Sequence, residues 1–465
     1  MACMAIIIGV GLLGCGREPT TAPLSPAVKV EVLEPTAEES TRAPAVPSNS
    51  QSPPDDPLPP KLPPPATALG LRQEATALAD QLVQQYPASA DALEIKARFL
   101  MLFGESQIAK ECWQQALRLA PDYAYAFHGL GRIAMLEAQY EEAIDYLSRS
   151  LPKQPGVAEP VHDLADAYTK LGRLDEATET LRTFVDENPQ STLSWLLLGQ
   201  AYQATQDYAQ AERAFRSALQ LAPGTARAEQ GLATVLLRLG KRDEAKQILA
   251  EVRSKKSAES PNRSAEQVFQ DEMKECAVRF HGVAELYSAE GDLKNAAHVA
   301  QRALVLDPQN IKAKSLLGKI YQQQGRLPEA IALVRELQAA EPQSASWPFT
   351  LGVLLSRSGN WQAASQEYRE VVRLAPQNPL GYEALARLLI SQGSGAQQAL
   401  APAQQLVQLR GTAADHELLA QAYAINADYS QAEQSLQEAM RLDPANPLYP
   451  QAMRQLKQVL GGRDE

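Results

Sequence analysis

Beyond residue 68 the apolar positions recur every three or four residues, in short runs broken by polar turns. That is the pattern of amphipathic helices. Trp195, Leu198, Gly199 and Tyr202 share one helical face; after a polar turn Ala211, Phe215 and Ala218 share another, and Pro223 follows. The unit returns with a fixed period. Pro87, Pro121, Pro155, Pro189 and Pro223 fall at one constant interval, as do Pro308, Pro342 and Pro376, with Pro444 two such intervals further on. A constant period of this size marks an array of helix pairs, each too small to bury its apolar face alone.

Residue size along the period fits close helix packing. Gly131, Gly199, Gly318 and Gly352, with Ala165 and Ala284 in equivalent places, are small where two helices approach. Ala109, Ala143, Ala177, Ala211, Ala245, Ala296, Ala330, Ala364 and Ala432 do the same on the second helix, in nine of ten units. Gly104, Gly172, Gly240, Gly291, Gly325, Gly359 and Gly393 end the first helix, where a left-handed backbone is needed. The prolines end the second. Tyr168, Tyr202, Tyr287, Tyr321 and Tyr423 fill the space between paired helices. The ends require caps: a leading helix in 69–89, with Leu71, Ala75, Leu78, Leu82 and Tyr86 on one face, and a trailing helix in 447–465, with Tyr449, Met453, Leu456 and Leu460 inward.

Trp195 to Pro223 carries the order W-x₂-L-G-x₂-Y…A-x₃-F…P, and so resembles the tetratricopeptide repeat residue for residue. Residues 90–446 resemble an array of about ten such repeats, units 1–5 in 90–259 and units 6–10 in 277–446. The resemblance implies an all-α fold, an α-solenoid superhelix of helix-turn-helix units, and a role in binding other proteins. The ninth unit is the most degenerate, with Arg410 in place of its proline.

The rhythm breaks once. From Pro223 to Pro308 the chain runs two and a half periods. "RSKKSAESPNRS" at 253–264 reads as an exposed loop, and Ser264 with Gln267 as a capping box opening a helix. Phe269, Met273, Cys276, Phe280, Val283 and Tyr287 then recur at helical spacing, so the insertion 260–276 extends the sixth unit's first helix backwards by about three turns. Such a segment is either a hinge or projecting ridge dividing two blocks of five units, or a tolerated insertion whose apolar face is packed.

The chain up to residue 68 is of another kind. An apolar run from Ala5 to Leu13 has the length of a signal-peptide core rather than a membrane span. It ends in Leu12-Leu13-Gly14-Cys15, which resembles the lipobox of bacterial lipoproteins. The resemblance implies removal of the leader (1–15 up to the cysteine) and acylation of Cys15. The alternative is a buried apolar segment with an incidental cysteine. No Lys or Arg precedes the run, which a start codon placed too far downstream would explain. Gly16 after the cysteine, rather than Asp, matches the outer-membrane sorting pattern of enteric bacteria. Residues 16–68 hold fourteen prolines and too little apolar surface to offset ordering entropy, so a disordered Pro-rich linker is expected.

Composition narrows the function classes. The net charge of −11 provides no basic field for phosphate backbones, so no nucleic acid is expected as partner. Four cysteines and five histidines form no metal-ligand spacing, and no cofactor or metal is expected. Ser150-Leu151-Pro152-Lys153 matches S-x-x-K, but without its companion motifs, and Gly393-Ser394-Gly395 lacks the strand and spacing of a nucleophile elbow. Acidic runs such as "DEAT" fall at helix starts, where carboxylates offset the helix dipole. No enzyme is expected.

By the resemblance, the first helices line a ligand-binding groove. The groove positions hold Arg98, His128, Arg132, His162, Asp166, Gln200, Gln203 and Gln230, with Lys319, Gln322 and Arg387 further on. The Lys/Asn clamp of chaperone-binding relatives is absent: its places hold Glu94 and Arg98, His128 and Arg132, then His162 and Asp166. The leading expectation is a non-catalytic scaffold for other envelope proteins, in assembly, secretion or export, lipid-anchored on the extracytoplasmic side. The alternative is a receptor-like module that takes an extended peptide or glycan in the groove.

Overall fold

The computed structural model describes residues 63–461 except 155, 257–263 and 394–395. Cys15, the leader, nearly all of the linker and much of the 253–264 loop lie outside the described residues. Within them the fold is all-α, built as helix pairs in a solenoid arrangement. A leading helix α1 (Ala68–Gln85) precedes the pairs α2/α3 (Ala90–Leu102, Ser106–Leu119), α4/α5 (Ala124–Leu136, Tyr140–Ser150), α6/α7 (Ala158–Lys170, Leu174–Glu187), α8/α9 (Thr192–Ala204, Tyr208–Leu221) and α10/α11 (Ala226–Arg238, Arg242–Lys256). Then come α12/α13 (Ala265–Ala289, Leu293–Leu306), α14/α15 (Ile311–Gln323, Leu327–Ala340), α16/α17 (Ser346–Arg357, Trp361–Leu374), α18/α19 (Pro379–Gln392, Ala396–Leu409), α20/α21 (Ala413–Ile425, Tyr429–Leu442) and a trailing α22 (Leu448–Gly461). The helices form two compact units, the first ending at Asn310 and the second beginning at Ile311.

Local chemistry sets the helix ends. Thr67, Ser89, Ser191, Asp207, Asp292, Asn360 and Asp428 each cap a helix with a side-chain oxygen. Every glycine expected to end a first helix has positive φ, from 63° at Gly393 to 83° at Gly104. Where glycine is missing, Ala138, Gln206 and Ala427 take the left-handed turn at φ 58–63°.

The small residues serve the close approach, though unequally. A Cβ on Gly129 would stand 2.2 Å from the Trp113 ring, and Cβ atoms on Gly199 and Gly231 would stand 2.7 and 2.5 Å from Phe215. Phe215, fully buried, is thus wedged between glycines of two successive first helices. Gly318 differs: only Val334, at 3.9 Å, lies near its Cβ direction, so close approach does not require glycine there.

In the first unit, α1 to α11 stack in chain order. Then the order fails. Consecutive helices α11 and α12 make no substantial contact; α12 packs instead on α13, α2 and α1. The Ser264–Gln267 capping box opens α12 as expected, and Met273, Cys276, Phe280, Val283 and Tyr287 are buried. Their partners lie at the start of the array. Phe280 meets Phe99 edge-to-face at 5.7 Å, and Tyr287 meets Tyr86 at 6.0 Å. Arg72 pairs with Glu272 at 2.8 Å, and Arg279 donates to the Arg98 carbonyl at 3.1 Å. From α13, the buried Arg302 forks onto both carboxylate oxygens of Glu74 (2.5 and 2.7 Å) and donates to the Pro63 carbonyl.

The physical reason lies in α2. Phe99 holds the register position of Ile133, Ala167 and Ala201 in the following units, which are buried. The first repeat, α2/α3, has no preceding repeat to cover it, and α12 does so. The compact units part at Asn310, and the sixth helix pair belongs to the first of them. The apolar face of α12 from Met273 to Tyr287 is packed.

Candidate functional site

The described part of the expected groove begins with a chain of polar contacts between successive first helices. The Tyr123 hydroxyl donates to Asp91. His128 Nε2 stands 2.8 Å from Asp163 Oδ2, and Arg132 Nε stands 4.0 Å from the same oxygen. His162 Nε2 stands 2.7 Å from Ser194 Oγ, which stands 2.7 Å from Ser191 Oγ. Burial lowers the His162 pKa against the pull of Glu159 and Asp163, so its ring is neutral at pH 7.

Of the residues expected in the groove, the structure joins His128 and Arg132 through Asp163, and ties His162 to Ser194. Arg98 reaches Glu94 on its own helix at 3.6 Å, while α12 takes its carbonyl. Asp166 lies 4.0 Å from Lys170, also on its own helix. Gln200 and Gln230 are exposed and Gln203 half-buried. Asp163, Ser191 and Ser194 went unnoticed in the sequence, because each sits at an ordinary polar helix position until the next unit is laid against it.

The second unit presents a different surface. A cavity of about 500 Å³ opens on the first-helix face of three successive pairs. Phe349 and Val353 of α16, Leu380 and Ile390 of α18 and Leu418 of α20 give it apolar walls. Arg387, an expected groove residue, lines it with Glu383 and Gln421. Glu383 Oε1 accepts from Arg387 at 3.0 Å and its Oε2 from Arg410 at 2.7 Å; Arg410 also forks onto the buried Asp415. Asp415, though buried, is held below the usual carboxylate range by Arg410 and Thr412. Arg410 therefore replaces the expected proline with a clamp that fixes the rim of this cavity. The apolar liners were missed, since apolar residues at helical spacing read as core. Their signal was the repeat register: Phe349 falls where other units carry His128 and His162, and Val353 where they carry Arg132 and Asp166.

Ser150 Oγ is fully buried and donates to the Ala124 carbonyl, and Lys153 faces Asp122 at 3.6 Å. The two described cysteines are buried, and burial raises both thiols, Cys276 to about 12. Such thiols are poor nucleophiles. Among the described residues, no group of three or more potential metal ligands occurs, and no helix is long and apolar enough to cross a membrane.

Parts of the chain match models of known families. Residues 126–347 match the model of the C-terminal domain of cilia and flagella-associated protein 70, and 349–414 and 416–446 match tetratricopeptide-repeat models. Protein FlbA of Caulobacter vibrioides is 29% identical over 137 residues, covering 30% of this chain; the chain spans 23% of FlbA's length. Among solved structures, the C-terminal part of a repeat protein of Cytophaga hutchinsonii is similar at 18% identity, covering 56% of this chain and 99% of that one, TM-score 0.35. YrrB, described as a tetratricopeptide protein with an unusual peptide-binding site, is similar at 20% identity, covering 38% and 92%, TM-score 0.34.

Proposed function

We propose that this chain of tetratricopeptide repeats is a non-catalytic scaffold for protein–protein interaction, tethered to the bacterial envelope through a lipid on Cys15. One observation supports the binding role most directly: the cavity of the second unit. Three successive first helices contribute apolar walls, and a braced charge pair, Glu383 with Arg387, stands at the rim. A partner side chain seated there loses its apolar surface to Phe349, Val353 and Leu380, while its flanking backbone meets Gln421 and Arg387. Pockets that combine apolar walls with a few fixed polar groups are the usual form of a recognition site.

Leu380→Asp sets a carboxylate on that wall. In-cell crosslinking of the variant should recover its partners at about a tenth of the wild-type yield, while helical content stays the same, because one unpaired charge at an apolar contact costs about 1.4 kcal/mol or more. Unchanged recovery would remove the cavity from the binding surface.

The tether rests on Leu12-Leu13-Gly14-Cys15 and the Pro-rich stretch behind it. The expected partners are envelope proteins on the extracytoplasmic side, and Gly16 favours the outer membrane. Cys15→Ser should abolish acyl labelling and move the protein from the membrane pellet to the soluble fraction. A variant that still pellets, with wild-type labelling, excludes this anchor.

A further inference from the structure

A second cavity of the C-terminal unit, of about 550 Å³, opens away from the first-helix face, on the edge formed by the turns inside the helix pairs. It lies between the start of α17, the end of α18 and the start of α19. Its lining is dense in amides: Gln362 and Gln366 of α17, Gln392 of α18 and Gln398 of α19, with Arg369 donating to Gln398 Oε1 at 2.8 Å.

Two features separate it from an ordinary polar crevice. Trp361, at the mouth, is 42% exposed. At the same register Tyr140, Leu174, Tyr208 and Leu327 are half-buried. Ser365, on the wall, is only 8% exposed, yet its hydroxyl has no hydrogen-bond partner. A buried hydroxyl without a partner carries a desolvation cost that a bound hydroxyl would relieve.

We propose that this cavity binds a neutral hexopyranose chain. The indole offers an apolar plate for the C–H face of a sugar ring. The glutamine amides each present a donor and an acceptor side by side, the pattern that vicinal hydroxyls satisfy, and the Ser365 hydroxyl completes the set. Among the described residues the lining includes no carboxylate, and its one cation, Arg369, donates to Gln398. A proline-rich peptide is the weaker fit. Such peptides dock in grooves lined by several aromatic rings, and Trp361 is the one aromatic residue among the described residues lining this cavity. Leu388 is the one residue that lines both this cavity and the one on the first-helix face; the indole, the amides and Ser365 line this one alone.

Calorimetric titration of the full chain with maltohexaose, cellohexaose and chitohexaose tests the assignment, with decaproline as the competing class. At least one hexasaccharide should bind with one-to-one stoichiometry. Trp361→Ala should weaken it at least tenfold and Trp361→Phe less, with both variants melting as wild type. Ser365→Ala should weaken binding severalfold without lowering the melting temperature. Three silent titrations, equal binding by Trp361→Ala, or decaproline binding that Trp361→Ala abolishes would each overturn the proposal.

Discussion

Phe280→Ala should destabilise the N-terminal unit by about 3–5 kcal/mol, the cost of deleting a buried phenylalanine ring. Phe280 is 2% exposed and packs edge-to-face on Phe99, itself 1% exposed. The lost contacts join segments remote in sequence, so the first consequence is local opening where α12 covers α1 and α2. Amide hydrogen exchange over residues 68–102 should accelerate more than over α6 to α9, and the denaturation midpoint should fall. Arg302→Ala should act in the same direction, because it leaves the Glu74 carboxylate without its forked partner. Val278→Ala is the control: Val278 lies on the same helix but is 48% exposed, and its loss should stay within about 0.5 kcal/mol. Equal exchange at α1 and α2 in the Phe280 and Val278 variants would show that the return of α12 adds nothing to stability.

This contact marks the limit of what was legible along the chain. The capping box at Ser264, the buried face through Tyr287 and the glycine turns were all readable, because each is written within a few residues. Periodicity shows that a helix has an apolar face; it does not say what covers that face. Phe99 and Phe280 are far apart in sequence, and each alone reads as a normal core residue of its own unit. The candidate site shows the same boundary. The register placed His128, His162 and Arg387 on the first-helix face, but the pairing of His128 with Asp163 depends on the offset between neighbouring units. Arg410 was legible only as a missing proline. Its meaning came from Glu383 and Asp415, brought to it by α18 and α20.

Glu94→Gln should flatten the pH dependence of stability in the same cap. Glu94 sits on the inner side of α2, 8% exposed. Burial raises its pKa from 4.5 to about 7, outweighing the attraction of Arg98 and Arg279, with Asp91 adding repulsion. A carboxyl whose pKa is higher in the folded state than in the unfolded one favours folding while both forms are protonated. That contribution is complete below about pH 4.5 and is lost as pH rises through about 7, since the unfolded chain ionises first. At about 1.4 kcal/mol per pH unit, the gap sets an upper limit of about 3 kcal/mol. The glutamine variant keeps the shape and loses the titration. The difference in unfolding free energy, variant minus wild type, should therefore grow between pH 4.5 and 7 in favour of the variant, then level off by pH 8. A difference independent of pH would mean that water or a shift of Arg279 solvates the ionised carboxylate. The direction of the change also separates this group from the exposed ion pairs of the second helices. Glu176, Glu179 and Glu438 are held below the usual range by neighbouring arginines, so they oppose unfolding as pH rises rather than as it falls. A net loss of stability on going from pH 5 to 7, removed by one substitution at position 94, can come from the buried carboxyl alone.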